Sequence, residues 1–349
     1  MDLFGQRQST ILVRPEVLDP DYVPDVLPFR EPQLRDIATS IAYAVDGGRS
    51  TNLFAIGPPG TGKTASLRYV LRELRSYSPL VRQAYVNAWV HRSRFAVLSQ
   101  IAVQIKSPVP RRGLAADEIF SSIVDTISSS RGAVIVVDEA DRLSNAQDVL
   151  YDLSRLNEFV DVPLVVITVA NTDYFLSRLD PRVISTLFSR RVEFPKYTVP
   201  QLKTILYERA KLALAPNTYS DSVLGLCAAV AWKRGGDARV AISCLYEAAV
   251  AAESEGADRI LPEHVRRVSD RVAVPEPALS DPRFEPIIEI LREKGELRVR
   301  ELYELYVQRG RKITPRAFRN YLRELESLGV IEIRRLPIRG NVRAVRLSL

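Results

Sequence analysis

The chain has 349 residues and a net charge of +7, and its length predicts two or three domains rather than one compact core. Two histidines and two cysteines are too few for a zinc site, a Cys/His catalytic pair or a disulfide framework, so any chemistry must come from carboxylates, lysine, arginine and amides. No apolar run approaches the roughly 18 residues of a membrane span, and no signal-peptide pattern follows the first methionine, so we expect a soluble, cytoplasmic protein with no membrane partner.

The first regular elements are predicted after a lead-in that prolines interrupt, at positions 15, 20, 24, 28 and 32. Short apolar runs then alternate with stretches that have the periodicity of helices. The predicted strands are 53–56, 84–86, 133–137, 164–169 and 192–194, and the predicted helices are 31–45, 67–74, 95–105, 116–127 and 149–159. Because parallel neighbours need a long crossover, this alternation predicts an α/β core with a parallel sheet.

A phosphate-binding loop is predicted directly after the first strand. Residues 57–64 read Gly-Pro-Pro-Gly-Thr-Gly-Lys-Thr, the pattern Gly, four residues, Gly, Lys, Ser/Thr. In this pattern backbone N–H groups curl around phosphate oxygens, Lys63 reaches the β and γ phosphates, and the hydroxyl of Thr64 ligates Mg²⁺. The residues predicted to contact the nucleotide here are Gly57, Pro58, Pro59, Gly60, Thr61, Gly62, Lys63, Thr64 and Ala65.

Two acids and an amide follow the third and fourth predicted strands. Asp138 and Glu139 come directly after four β-branched residues, and Asn171 follows the fourth strand. At the carboxyl edge of a nucleotide-hydrolysing sheet, Asp138 would join the metal shell and Glu139 would polarise the attacking water. An amide at Asn171 would hold that water near the γ-phosphate. The sequence therefore predicts an ATP or ADP site with Mg²⁺.

The second half of the chain is predicted to form two smaller modules. Helical periodicity replaces the strand signal in 201–214, 221–233, 237–254 and 262–273. Four prolines in 274–286 predict a linker, and three helical stretches with two strands, 330–336 and 342–347, complete the chain. The predicted domains are an α/β core with its lead-in (1–197), a helical lid (198–275) and a linker with a small α+β tail (276–349).

The tail carries the excess positive charge. Residues 308–349 hold 11 basic and 3 acidic side chains, a local net of +8, so the rest of the chain has a net charge of −1. On a helix predicted over 314–328, three arginines lie within about 60° of one face, opposite the apolar face. The predicted DNA contacts of this tail are Arg316, Arg319 and Arg323 on the helix and Arg334, Arg335, Arg339 and Arg343 on the hairpin.

These motifs resemble those of the AAA+ ATPases, and in particular those of the archaeal Orc/Cdc-type replication initiators. Further segments carry the resemblance through nearly the whole chain: 18–24, 27–31, 111–114, 180–183, 194–197 and 236–239. The resemblance implies an AAA+ parallel-sheet core, an all-helical lid that closes over the nucleotide, and a C-terminal winged helix. A winged helix that binds protein instead of DNA is the alternative reading of the tail.

The resemblance also implies roles for individual residues. The segment with Val23, Leu27 and Arg30 wraps the nucleotide, which Tyr197 also contacts. An insertion with Arg111 and Arg112 touches DNA. In the second sensor, Asp237 caps a helix whose first turn presents Arg239 to the γ-phosphate. For the arginine finger between subunits the motif favours Arg182, with Arg190 and Arg191 as alternatives.

The function implied is that of an ATP-dependent replication initiator. It would bind double-stranded origin DNA, work with the replicative helicase and other initiator copies, associate with the nucleoid, and hydrolyse ATP slowly as a switch. Two alternatives stay open: an AAA+ clamp or helicase loader that acts as a ring, and a transcription regulator whose ATP site tunes DNA affinity.

Overall fold

The computed structural model describes residues 10–48, 50–108, 115–269, 283–309, 313–327, 330–335 and 343–347. The chain forms two compact units: one contains residues 23–195, and the other combines the first 22 residues with residues 196–349. Within the described ranges, no helix is both long and apolar enough to cross a membrane.

The first unit is built on a parallel five-stranded sheet in the order β2-β3-β4-β1-β5. Its strands are β1 (Leu53–Ile56), β2 (Arg82–Asn87), β3 (Ala133–Asp138), β4 (Leu164–Ala170) and β5 (Arg190–Glu193). Every residue of β1, β3 and β4 is buried, as expected for parallel strands covered on both faces. The predicted parallel α/β core is confirmed, although β5 begins two residues before the predicted strand.

Helices cover both faces of this sheet. They are α1 (Glu31–Val45), α2 (Lys63–Tyr77), α3 (Arg94–Gln104), α4 (Ala116–Ser128), α5 (Ala146–Phe159) and α6 (Pro181–Leu187). Successive residues of β3 face opposite layers: Val136 packs with α1 and α2, whereas Val137 packs with α3 to α6. This three-layer arrangement brings the loops after β1, β3 and β4 to one edge of the sheet.

The second unit contains four lid helices and the beginning of the chain. The helices are α7 (Val199–Ala213), α8 (Asp221–Lys233), α9 (Ala238–Ser254) and α10 (Pro262–Ser269). Three of them begin at side-chain caps that accept a backbone N–H: Thr198, Ser220 and Asp237. The apolar faces of these helices pack around one core that includes both cysteines.

Residues 11–18, which we call the N-terminal strap, pack in the core of the lid. Ile11, Leu12, Val17 and Leu18 are buried in the same cluster as the lid helices. The carboxylate of Glu253 accepts the backbone N–H groups of Ile11 and Leu12, both at 2.9 Å. This differs from the predicted boundary, which assigned the whole lead-in to the α/β core, because the partners of the strap lie some 200 residues further along the chain.

The end of the chain forms a small α+β module with its own core. Its elements are α11 (Glu285–Lys294), β6 (Leu297–Arg298), α12 (Val299–Gln308), α13 (Pro315–Ser327), β7 (Ile331–Arg335) and β8 (Arg343–Leu347). The strands form an antiparallel sheet in the order β6-β8-β7. Three helices with this sheet are consistent with the predicted winged helix. The predicted linker is too long by two residues at its end, because α11 begins at Glu285 and accommodates Pro286 in its first turn.

Candidate functional site

The phosphate loop connects β1 to α2 at the carboxyl edge of the sheet. Two of its glycines, Gly60 (φ 69°) and Gly62 (φ 84°), adopt left-handed conformations that other residues rarely tolerate. A third, Gly57, lies so close to the backbone that follows β5 that a Cβ atom would lie 2.2 Å from the carbonyl oxygen of Phe194. The glycine pattern is therefore required by the course of the backbone. The loop leads directly into the N-terminus of α2, where backbone N–H groups attract anions.

The Lys63 side chain folds back over this loop. Its Nζ donates hydrogen bonds to the carbonyl oxygens of Gly57 (2.6 Å) and Pro58 (2.9 Å) and to Oδ1 of Asn171 (3.0 Å). The structure thus brings Lys63 of the phosphate loop together with the amide of Asn171, which lies 108 residues further along the chain. A cation over an N-terminal helix turn is suited to hold the phosphates of a nucleotide.

Asp138 ends β3 beside the first turn of α2. Its Oδ2 accepts a hydrogen bond from Thr64 Oγ1 at 2.6 Å, and its Oδ1 accepts the backbone N–H of Glu139 at 2.8 Å. The predicted metal pair, Thr64 and Asp138, is therefore in direct contact. A hydroxyl that donates to Asp138 keeps its lone pairs for a cation, and hard oxygen ligands are those that Mg²⁺ prefers. These residues fit a magnesium ion with a nucleotide.

Tyr85 of β2 is a member of this site that the sequence analysis missed. Its hydroxyl donates to the same Oδ2 of Asp138. Burial raises the pKa of the Tyr85 hydroxyl far above its ordinary value, and the charge of Asp138 raises it further, so the hydroxyl stays protonated and acts as a donor. Finding it from the sequence would have required knowing that β2 is the neighbour of β3.

Glu139 follows Asp138 in a left-handed backbone conformation, with a φ of 55°. Non-glycine residues adopt this conformation rarely, and it is often found at functional sites. Here it turns the chain at the edge of the sheet, between β3 and a 3₁₀ turn, Ala140–Arg142. Asp138 ends β3, Glu139 comes directly after it, and Asn171 follows β4. All three therefore lie at the edge of the sheet where the phosphate loop lies.

Arg30 lies behind the phosphate loop. It is 2% exposed, and its guanidinium donates to the carbonyl oxygens of Thr61 (2.8 Å), Phe29 (2.9 Å) and Pro195 (2.6 Å). These donors are directed to backbone carbonyls, and the predicted contact of Arg30 with a nucleotide stays a prediction. The side chain ties the loop to the last residue of the unit. Val23 and Leu27, predicted beside it, are half-buried.

Two predicted contacts belong to the helical unit. Arg239 lies in the first turn of α9, and Asp237, which caps that helix, accepts hydrogen bonds from its backbone N–H (2.8 Å) and its Nη2 (2.9 Å). The guanidinium is thus held at the start of a rigid helix. Tyr197 packs in the lid core and is 4% exposed. The cap and the arginine confirm the predicted local geometry, whereas the roles of Arg239 and Tyr197 toward a nucleotide stay predictions.

The three candidates for the arginine finger differ in their surroundings. Arg190 pairs with Asp36, and Arg191 pairs with Asp173 and Glu193. Arg182 is exposed at the start of α6, whose cap is Asp180, and within the described ranges it forms no ion pair. Of the three, Arg182 is therefore the side chain best placed to reach another molecule.

Helix α13 presents its arginines to solvent. Arg316, Arg319 and Arg323 are exposed, whereas Phe318 and Leu322 are buried in the core of the terminal module. On the hairpin, Arg343 is exposed, and Arg334 is exposed but pairs with Glu332 at 2.8 Å. The backbone of Arg335 lies in β7, and its side chain is outside the described part of the chain. Arg339, Arg111 and Arg112 also lie outside the described residues.

Family models match both units of the chain. A model described as "AAA domain" matches residues 47–179, which contain the phosphate loop, Asp138, Glu139 and Asn171. A model described as "Cdc6 AAA+ ATPase-type lid domain" matches residues 203–270, which contain Arg239.

Similar proteins cover almost the whole chain. The ORC1-type DNA replication protein 1 of Aeropyrum pernix is 36% identical over 94% of this chain and 89% of its own length. The ORC1-type DNA replication protein of Desulfurococcus amylolyticus is 33% identical over 93% of this chain and 87% of its own length. Among solved structures, the Aeropyrum pernix Orc1 protein in complex with DNA matches with a TM-score of 0.73 and 35% identity, over 98% of this chain and 95% of that one.

Proposed function

Because the chain belongs to the family of ORC1-type DNA replication proteins within the AAA+ ATPases, we propose that it is an ATP-switched initiator that binds duplex DNA at replication origins. The proposal includes recruitment of the replicative helicase and assembly with other initiator copies on DNA. Both follow from family membership alone. The similar Aeropyrum Orc1 protein, solved with DNA, supports the DNA-binding part.

One observation carries the ATPase part of the proposal: Lys63, Thr64 and Asp138 converge at the phosphate loop. Lys63 and the backbone of the loop bind the phosphates, and Thr64 and Asp138 are the residues that would hold Mg²⁺. When bound, the metal neutralises charge on the terminal phosphates. Glu139 accepts a proton from the attacking water, and the amide of Asn171 orients that water.

The proposed turnover is slow in an isolated subunit. The finger, which we assign to Arg182, comes from a neighbouring copy, and an ATPase without its finger loses several orders of magnitude in rate. Arg239 acts as the second sensor, and its contact with Asp237 supports this role by fixing the guanidinium. Arg30 acts as a positioning residue, since its contact is with the loop carbonyl of Thr61. The nucleotide state then works as a switch.

Mapping the DNA that the protein occupies across its own genome tests the proposed function. We expect occupancy at clustered sites in one or a few loci where replication starts. Occupancy spread over promoters without such a cluster would contradict the origin assignment and favour a transcription regulator. A stable ring with fast, DNA-stimulated ATP turnover in solution would instead favour a loader.

The arginines of α13 give a separate prediction. Replacing Arg319 with alanine should weaken duplex binding several-fold and reduce the slope of log affinity against log salt by about 0.9, since one phosphate contact is lost. Fluorescence anisotropy over a salt series measures both quantities. The matched control is Arg292→Ala, an exposed arginine on α11 of the same module, for which neither should change. If Arg319→Ala bound duplex DNA with the same affinity and salt slope as Arg292→Ala and the unmodified protein, a protein-binding wing would be favoured.

A further inference from the structure

Tyr85 reaches from one strand to the carboxylate at the end of its neighbour. In the parallel register, Asn87 of β2 lies opposite Asp138 of β3, so Tyr85 is two residues upstream on the adjacent strand. Its hydroxyl donates to Oδ2 of Asp138, the oxygen that also accepts from Thr64. Two hydroxyl groups, one from a strand and one from a helix, therefore share one carboxylate oxygen.

Contacts on several sides fix the position of Tyr85. The side-chain amide of Gln104 on α3 accepts the backbone N–H of Tyr85 at 2.8 Å and donates to its carbonyl oxygen at 2.7 Å. The guanidinium of Arg68, one turn after Thr64 on α2, lies 5.3 Å from the centroid of the Tyr85 ring. A side chain held in this way keeps its hydroxyl directed at Asp138.

This hydroxyl restricts the orientation of the Asp138 carboxylate. The backbone N–H of Glu139 binds Oδ1 of the same group, so each of the two oxygens has a donor. Asp138 is 1% exposed, and rotating its carboxylate would leave its partly buried donors without their acceptor. Such a loss is unfavourable, because a donor that is shielded from water cannot replace the missing acceptor fully. The carboxylate is therefore held in one plane next to the hydroxyl of Thr64.

We propose that Tyr85 is a positioning residue of the magnesium–nucleotide site, which holds Asp138 in the orientation in which Asp138 and Thr64 present oxygens to the same cation. The inference rests on the proposed function, since it requires Thr64 and Asp138 to hold the metal that accompanies a nucleotide. Residues that orient a metal ligand without touching the metal typically contribute 10- to 100-fold to metal affinity. Loss of the Tyr85 hydroxyl should therefore change the affinity for Mg²⁺ by an amount that can be measured.

The test compares Tyr85→Phe with Tyr77→Phe. Tyr77 is an exposed residue of α2 whose hydroxyl also donates to a carboxylate, that of Asp46, so its variant loses the same kind of bond in the same unit. Calorimetric titration of ADP with Mg²⁺ and with EDTA gives two affinities, and their ratio measures the contribution of the metal. We expect Tyr85→Phe to lower this ratio by about 10-fold or more, with little change in EDTA, and Tyr77→Phe to leave both affinities unchanged.

The outcomes separate this inference from the proposed function. An unchanged ratio in Tyr85→Phe, or an equal fall in Mg²⁺ and in EDTA, would overturn the positioning role and leave the nucleotide site standing. Absence of ADP binding in the unmodified protein would overturn the proposed function itself. A second comparison is made in an Asp138→Asn background, where Tyr85→Phe should lower the ratio no further. A further 10-fold fall there would show that Tyr85 does not act through Asp138.

Discussion

Replacing Lys63 with alanine is expected to lower nucleotide affinity by about 100-fold or more, equivalent to about 3 kcal/mol, which abolishes binding at micromolar nucleotide concentrations. The Nζ of Lys63 is the cation that lies over the phosphate loop, and the hydrogen bonds of a charged group are worth about twice those of neutral groups. Titration with a fluorescent ATP analogue, with Mg²⁺ present, measures the loss.

Two checks make the result on Lys63 specific. Lys211→Ala removes an exposed lysine from α7 and should leave nucleotide affinity unchanged. Lys63→Ala also leaves the acceptors on Gly57, Pro58 and Asn171 without this donor, so a thermal melt must show that the variant is folded. A folded Lys63→Ala protein that binds ATP normally would remove the phosphate loop from the proposed function.

Replacing Glu139 with glutamine should separate binding from hydrolysis. The amide cannot accept a proton from water, so we expect ATP turnover to fall by about 100-fold or more while ATP affinity changes little. The substitution keeps the size of the side chain, and glutamine can keep the left-handed backbone conformation of this position at a similar cost. Phosphate release under single-turnover conditions measures the rate, and equilibrium titration measures the affinity.

Glu158→Gln is the matched control for Glu139→Gln. It makes the same chemical change on α5, where Glu158 pairs with Arg155 at the surface, and it should leave turnover unchanged. Normal turnover in Glu139→Gln would take the role of general base away from Glu139. A loss of ATP affinity in parallel with turnover would show that Glu139 serves binding instead.

The parallel core and the phosphate site were predictable because their signals are local. The strands of the core contain short apolar runs, which in β3 and β4 are rich in β-branched residues, and the loop motif is contiguous from Gly57 to Thr64. Asp138 and Asn171 were found because parallel strands end at one edge, and the contacts of Lys63 with Asn171 and of Thr64 with Asp138 agree with that reasoning.

What the sequence did not predict depends on distance along the chain or on very short elements. Tyr85 is identified only when the sheet order places β2 beside β3. The supporting position of Arg30 depends on the carbonyl oxygen of Pro195, 165 residues away. Helix α6 has seven residues and β6 has two, which are too few for a periodic pattern.

The burial of the N-terminal strap in the lid has a consequence for the order of folding during synthesis. The α/β unit is contiguous, so it can fold as soon as residue 195 has left the ribosome. The strap is made first but must wait for α7 to α10 before its apolar side chains are covered, a delay of about ten seconds or more at ordinary rates of translation. An early segment that cannot bury its own surface is a place where chaperones bind and misfolding begins. For the same reason, a truncated chain that begins at residue 19 would lack part of the lid core.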